Sequence, residues 1–125
     1  MPARWLDEPQ PHDFPAAASY LSLIASPKQV QAIVAELRAA PILHFKAKDI
    51  LRASELPLLP ADNPHVMHDL ARIVEGEALS PCLMVRGAIA EGRPAIIADG
   101  YHRVCASYHH DENTDIPVKL VVGHP

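Results

Sequence analysis

The sequence predicts an α+β (mixed α/β) fold in which a small mixed sheet with helices is preceded by an N-terminal helical hairpin. Three observations predict it. Two stretches with a helical period fill residues 14–40 before any strand signal. Four short apolar runs follow, ILHF, CLMV, PAIIA and IPVKLVV, each of the length of a buried strand. Between the last two runs the pattern turns helical again, at Asp99-Gly100.

Residues 1–12 carry Pro2, Pro9 and Pro11, charges of both signs and no apolar period, which predicts a flexible N-terminal arm. The run 14–25, FPAAASYLSLIA, reads as a helix that Asp13 can cap, with Pro15 tolerated in the first turn. Ser26 and Pro27 interrupt it and start the next helix, Ser as N-cap and Pro as a preorganised first residue. There Val30, Ile33, Val34 and Leu37 make one apolar stripe, and Pro41 ends the pattern. The hairpin 13–40 must cover something. It covers either the rest of this chain or a second copy, so a homodimer through 14–40 is one expectation.

Residues 41–125 form the predicted main domain. Residues 42–45 read as a strand and 49–53 as a helical turn, after which Pro57, Pro60 and Pro64 forbid long regular structure. Asp62 or Asn63 can cap a helix that begins at Pro64, buries Val66, Leu70, Ile73 and Val74, and stops at Gly76. Residues 82–85, 94–98 and 116–122 are of the buried-strand type. Residues 101–110 are helical, with Val104, Cys105 and Tyr108 on one face.

Composition removes several function classes. With 49% hydrophobic and 21% charged residues the 125-residue chain is not of the disordered kind. No apolar run approaches the roughly 20 residues that span a bilayer, and MPARWLDEPQPHDFP lacks the apolar core of a signal peptide, so no membrane association and a cytoplasmic location are expected. Cys82 and Cys105 sit in apolar settings and read as buried thiols. A net charge of −4, with nothing more basic than Lys46-Ala-Lys48, disfavours direct DNA binding. His65 with His68, and HHDE at 109–112, do not supply the three or four convergent ligands of a zinc site, so no metal site is assigned.

The stretch IIADGYHRVCASY, residues 96–108, carries the chemistry. A strand that ends in Asp-Gly and enters a helix gathers unpaired backbone N–H groups at the positive end of the helix dipole, which is an anion site. Gly100 lets a ligand approach the backbone, Arg103 offers a planar fork for phosphate oxygens, and His102 is a donor or proton carrier. On these residues alone a capped helix, with Asp99 as the cap, is the simpler reading.

Three segments in register change that balance: PADNPHVMHDLARIVEG at 60–76, DGYHR at 99–103 and IPVKLV at 116–121. With them, residues 42–122 resemble the ParB/sulfiredoxin-like superfamily, in its DGxHR variant. The resemblance implies a nucleotide-phosphate pocket with Gly100, Tyr101, His102 and Arg103 at the helix start and a second wall from Asn63, His65 and His68. ATP or CTP is the implied ligand, with Mg²⁺ bridging the phosphates, and phosphotransfer or nucleotide hydrolysis is the implied chemistry. Asp99 and His102 are then the catalytic candidates, Asp99 being the one acid that the motif places; Glu36, Asp49, Glu55 and Asp62 are the unplaced ones. Lys46 and Lys48 are further candidates to lean toward the anion.

The sequence also departs from the pattern. Tyr101 stands where sulfiredoxins have the catalytic cysteine, and Cys105 lies one turn later on the expected buried side, which argues against thiol chemistry. The basic residue that contacts phosphates near the start of the earlier helix is missing, with Val66 closest to its place and His65 or His68 as substitutes. Partition proteins add a helix-turn-helix domain that these residues lack, so a segregation role is not expected. The alternatives to a nucleotide site are a non-enzymatic dimerisation or interaction module and a DNA-partition or transcription accessory protein.

Overall fold

The structure, a computed structural model, describes residues 2–123; Met1, His124 and Pro125, the outermost residues of the expected arm and domain, lie outside the described residues. In chain order the elements are β1 (Arg4–Trp5), α1 (Asp13–Leu21), α2 (Pro27–Ala39), β2 (Ile42–Lys46), α3 (Ala47–Ser54), α4 (Pro64–Val74), β3 (Ala78–Leu79), β4 (Cys82–Arg86), a 3-10 turn (Ile89–Glu91), β5 (Ile96–Asp99), α5 (Tyr101–His110) and β6 (Asp115–Val122). This is an α+β protein.

Local chemistry sets the helix starts. Ser26 and Gln29 form a reciprocal capping box, with Gln29 N–H donating to Ser26 Oγ at 3.2 Å and Ser26 N–H to Gln29 Oε1 at 2.9 Å, ahead of Pro27. Asn63, not Asp62, caps α4: its Oδ1 accepts the N–H groups of His65 and Val66.

The main sheet has the order β2-β6-β4-β5, with β6 antiparallel to β2 and parallel to β4, and β4 antiparallel to β5. Both faces of its centre are covered. The alternation of strand side chains sends Cys82, Met84, Ile97, Ile116 and Val118 into a core with Ile50 and Leu51 of α3, Val66 and Ile73 of α4 and Val104 and Cys105 of α5. It sends Leu83, Val85, Ala98 and Val121 into a second core with Phe14, Ala17 and Leu21 of α1 and Val30, Ile33 and Leu37 of α2. The uninterrupted CLMV run is explained by these two cores, since every residue in it is buried.

The hairpin therefore spends its apolar stripe on this chain's own sheet. Lys119, on the same sheet face, reaches through this layer to donate to Arg38 O at 2.9 Å. Other expectations change in detail. The expected arm is anchored: β1 pairs parallel with β3, Trp5 beside Leu79, and Leu6 N–H donates to Leu79 O at 2.8 Å. A strand of two residues leaves no periodicity to read. α1 ends at Leu21, short of the expected residue 25, and Asp13 is its first residue and makes no side-chain cap. Val74 is 77% exposed, because Val66 and Ile73 already fill the buried side of α4. No helix among the described residues is long and apolar enough to cross a membrane.

Candidate functional site

The β5 run ends at Asp99, and Gly100, at φ 116°, swings the chain directly into α5. Only glycine suits this corner. A Cβ there would lie 2.5 Å from Cys82 Sγ and 3.0 Å from Arg103 Nη2, in a backbone region that side chains disfavour. No side chain caps α5, so the N–H groups of Tyr101, His102 and Arg103 have no intrahelical acceptor. The residues of this first turn line a cleft of about 220 Å³.

Asp99 is not the cap. It accepts from Arg103 Nη2 at 2.6 Å, one helical turn away. Arg103 Nη1 donates to Ser80 O at 2.8 Å and stands 4.0 Å from Asp13 of α1. The guanidinium is thus largely enclosed and already engaged, and it binds α1, β5 and the β3–β4 connection together. Burial pushes the Asp99 carboxyl above its ordinary range; Arg103 offsets part of this, while nearby Asp13 adds to it.

The opposite wall comes from α4. Asp69 is almost fully buried, and Arg72 Nη1 lies 4.0 Å from it while the rest of the Arg72 fork holds Glu77 at 3.2 Å and Ala78 O at 3.0 Å. Burial raises the Asp69 carboxyl, against the lowering effects of Arg103, Arg72, His68 and His102. Gln10 and His12 complete the lining from the N-terminal segment, with Ser80 Oγ donating to Gln10 Oε1 at 2.8 Å.

Of the residues singled out from the sequence, Asp99, Gly100, Tyr101, His102 and Arg103 all line this cleft. Asn63, His65 and His68 do not. Asn63 is occupied with capping, His65 stacks its ring 4.7 Å from that of His102, and His68 is exposed on α4. Burial, helped by His65, holds the His102 imidazole below its usual pKa, with Asp69 opposing, so His102 favours the neutral form. Tyr101 turns its hydroxyl away to donate to Pro57 O at 2.5 Å. Lys46 and Lys48 are not part of the lining, and Val66 is wholly buried.

Sequence reasoning missed Gln10, His12, Asp13, Asp69, Arg72 and Ser80. Asp69 and Arg72 are three apart on α4, on its helical face next to the apolar stripe, and that spacing was the one signal available. Among the described residues no group of three or more His, Cys, Asp or Glu side chains can hold a metal ion. Both thiols are enclosed. Burial pushes Cys82 up to about 11 and also raises Cys105, so neither is a nucleophile in this state.

Compared with family models, with curated proteins and with solved structures, the chain gives no significant match to any. The class that fold and site define is an α+β protein with a polar cleft at a strand-to-helix corner.

Proposed function

We propose that this cleft binds a phosphate-bearing ligand, with a nucleotide as the ligand that the ParB/sulfiredoxin-like resemblance implies. The observation that carries the reading is the uncapped first turn of α5, three N–H groups without helical acceptors on residues that line the cleft at a glycine corner. Arg72 Nη1 and His102 supply further donors on either side. Arg103, already committed to Asp99 and Ser80 O, acts by fixing the corner.

The lining carboxylates would oppose an anion if they stood alone. Asp99 and Asp13 share Arg103, however, and Asp69 faces Arg72, so the acids are largely matched. At about 220 Å³ the cleft is below the roughly 300–1,000 Å³ of pockets that enclose a whole small molecule, which suits a phosphate group with the rest of the ligand outside. Phosphotransfer or hydrolysis is the chemistry that the resemblance implies, with Mg²⁺ carried by the phosphates. In that case Asp69 is a better base than Asp99: burial raises both carboxyls, but Asp69 has no ion partner closer than 4.0 Å among the described residues, whereas Asp99 is held by Arg103 at 2.6 Å.

Calorimetric titration with ATP, CTP, GTP and pyrophosphate, with and without Mg²⁺, tests this. One of them binds the wild type, and Arg72→Gln weakens it about tenfold. No heat from any of the four ends the proposal, and binding unchanged in Arg72→Gln places the ligand elsewhere.

A second reading keeps the hairpin as an interaction surface, because Tyr20, Leu23 and Ile24 are exposed at its tip, Leu23 by 82%. Light scattering that gives a dimer in the wild type and a monomer in Leu23→Lys would support it; a wild-type monomer would remove it.

A further inference from the structure

At the other end of the main sheet, on the α3 face, lies a second cavity of about 530 Å³, within the range of small-molecule sites. Its walls are apolar, with Phe45 of β2, Ile50 of α3, Met84 of β4 and Leu120 of β6. The β4–β5 connection closes one side. It is held tightly: Ala88 and Arg93 exchange backbone hydrogen bonds at 2.9 and 3.0 Å, and Ala95 N–H donates to Ala53 O at 3.0 Å, which ties the loop to α3. Gly87 permits this fold-back, since a Cβ there would come within 2.6 Å of Arg93 O. The wall is built by close backbone packing, and Ile89 stands fully exposed at the rim.

The charges at the rim are unequal. Asp49 is paired with Arg52 at 3.2 Å, and Arg93 is paired with Glu91. Arg86, exposed at the end of β4, has no carboxylate partner among the described residues. An apolar chamber with one unmatched guanidinium at its mouth suits a ligand with an apolar body and one anionic end, and the planar fork of arginine fits a carboxylate.

We propose that this cavity binds an amphipathic organic carboxylate, its hydrocarbon body against Phe45, Ile50, Met84 and Leu120 and its carboxylate on Arg86. The site is separate from the α5 cleft and does not depend on what that cleft binds. The hydrocarbon is either alkyl or aryl. Decanoate and 2-naphthoate separate the two, and 1-decanol serves as the uncharged control.

The test is methyl NMR and calorimetry on the full chain. Decanoate or 2-naphthoate shifts the methyl signals of Ile50, Met84, Ile89 and Leu120 in the wild type and leaves the amides of Tyr101 and His102 unmoved. Arg86→Gln weakens carboxylate binding about tenfold and leaves 1-decanol unchanged. Ala53→Trp, at an exposed position on the cavity wall, obstructs the chamber and weakens all binding. The proposal is overturned if neither carboxylate moves those methyls, if binding is unchanged in a folded Ala53→Trp variant, or if Arg86→Gln binds carboxylate as tightly as the wild type.

Discussion

Replacing Arg103 by Met tests the reading of the α5 corner as an internal clamp. Arg103 is 12% exposed, and it faces Asp99 and Asp13, whose side chains are 18% and 6% exposed. Met fills a similar volume, so the change removes charge and hydrogen bonds more than packing. It leaves two carboxylates enclosed and uncompensated, and breaking a buried pair in this way costs about 3–5 kcal/mol. In a domain of this size that lowers Tm by about 10–20 °C.

The cost depends on pH with a definite sign. Asp99 is already raised above its ordinary 3.8 by burial, and loss of Arg103 raises it further. A carboxyl raised on folding stabilises when protonated and loses that contribution as pH rises through its folded value. The defect is therefore largest at neutral pH and shrinks as pH falls toward the ordinary carboxylate range. Urea unfolding followed by circular dichroism, at neutral pH and at pH about 4.5, measures it. Adding Asp99→Asn recovers part of the loss at neutral pH. A loss below about 1 kcal/mol, equal at both pH values, would mean that Arg103 is an ordinary surface ion pair and the clamp is wrong.

Gly100→Ala introduces a Cβ against Cys82 Sγ at positive φ and lowers stability by about 2–4 kcal/mol in the same urea assay; adding Cys82→Ala relieves the Sγ clash and returns part of the loss, while the contacts with Cys82 Cβ and Arg103 Nη2 remain. Asn63→Ala removes Oδ1, the single acceptor of two N–H groups at the start of α4, and costs about 1 kcal/mol in the same urea assay. Cys82, enclosed and raised to about 11, resists iodoacetamide in the native protein at mildly alkaline pH and is labelled only as fast as the chain unfolds; prompt labelling under native conditions would contradict its burial.

The legible parts of the fold are those set by neighbours in sequence. Ser26-Pro27 and Asn63-Pro64 are complete local instructions, in which cap, preorganised proline and free N–H lie within one turn. The run CLMV reads as a strand of the buried type, and Asp99-Gly100 as the point where a strand enters a helix. Val74 was misplaced because helical spacing gives the width of a stripe but not which edge of it the neighbouring layer covers. β1 and β3 escaped notice because each exists only through the other, across most of the chain.

The candidate site divides in the same way. The sequence by itself determined that residues 99–103 form a strand-to-helix corner whose first N–H groups lack helical acceptors, since that follows from backbone geometry within five consecutive residues. Only the tertiary structure decided what surrounds it. Docking of α1 brings Asp13 to Arg103, which Asp99 and Ser80 O also engage, and packing of α4 against α5 brings Asp69 and Arg72 to the cleft. Local hydrogen bonds are written in short spacings. The partner of a charge is settled by which layers bury their apolar faces together, and that depends on the whole chain at once.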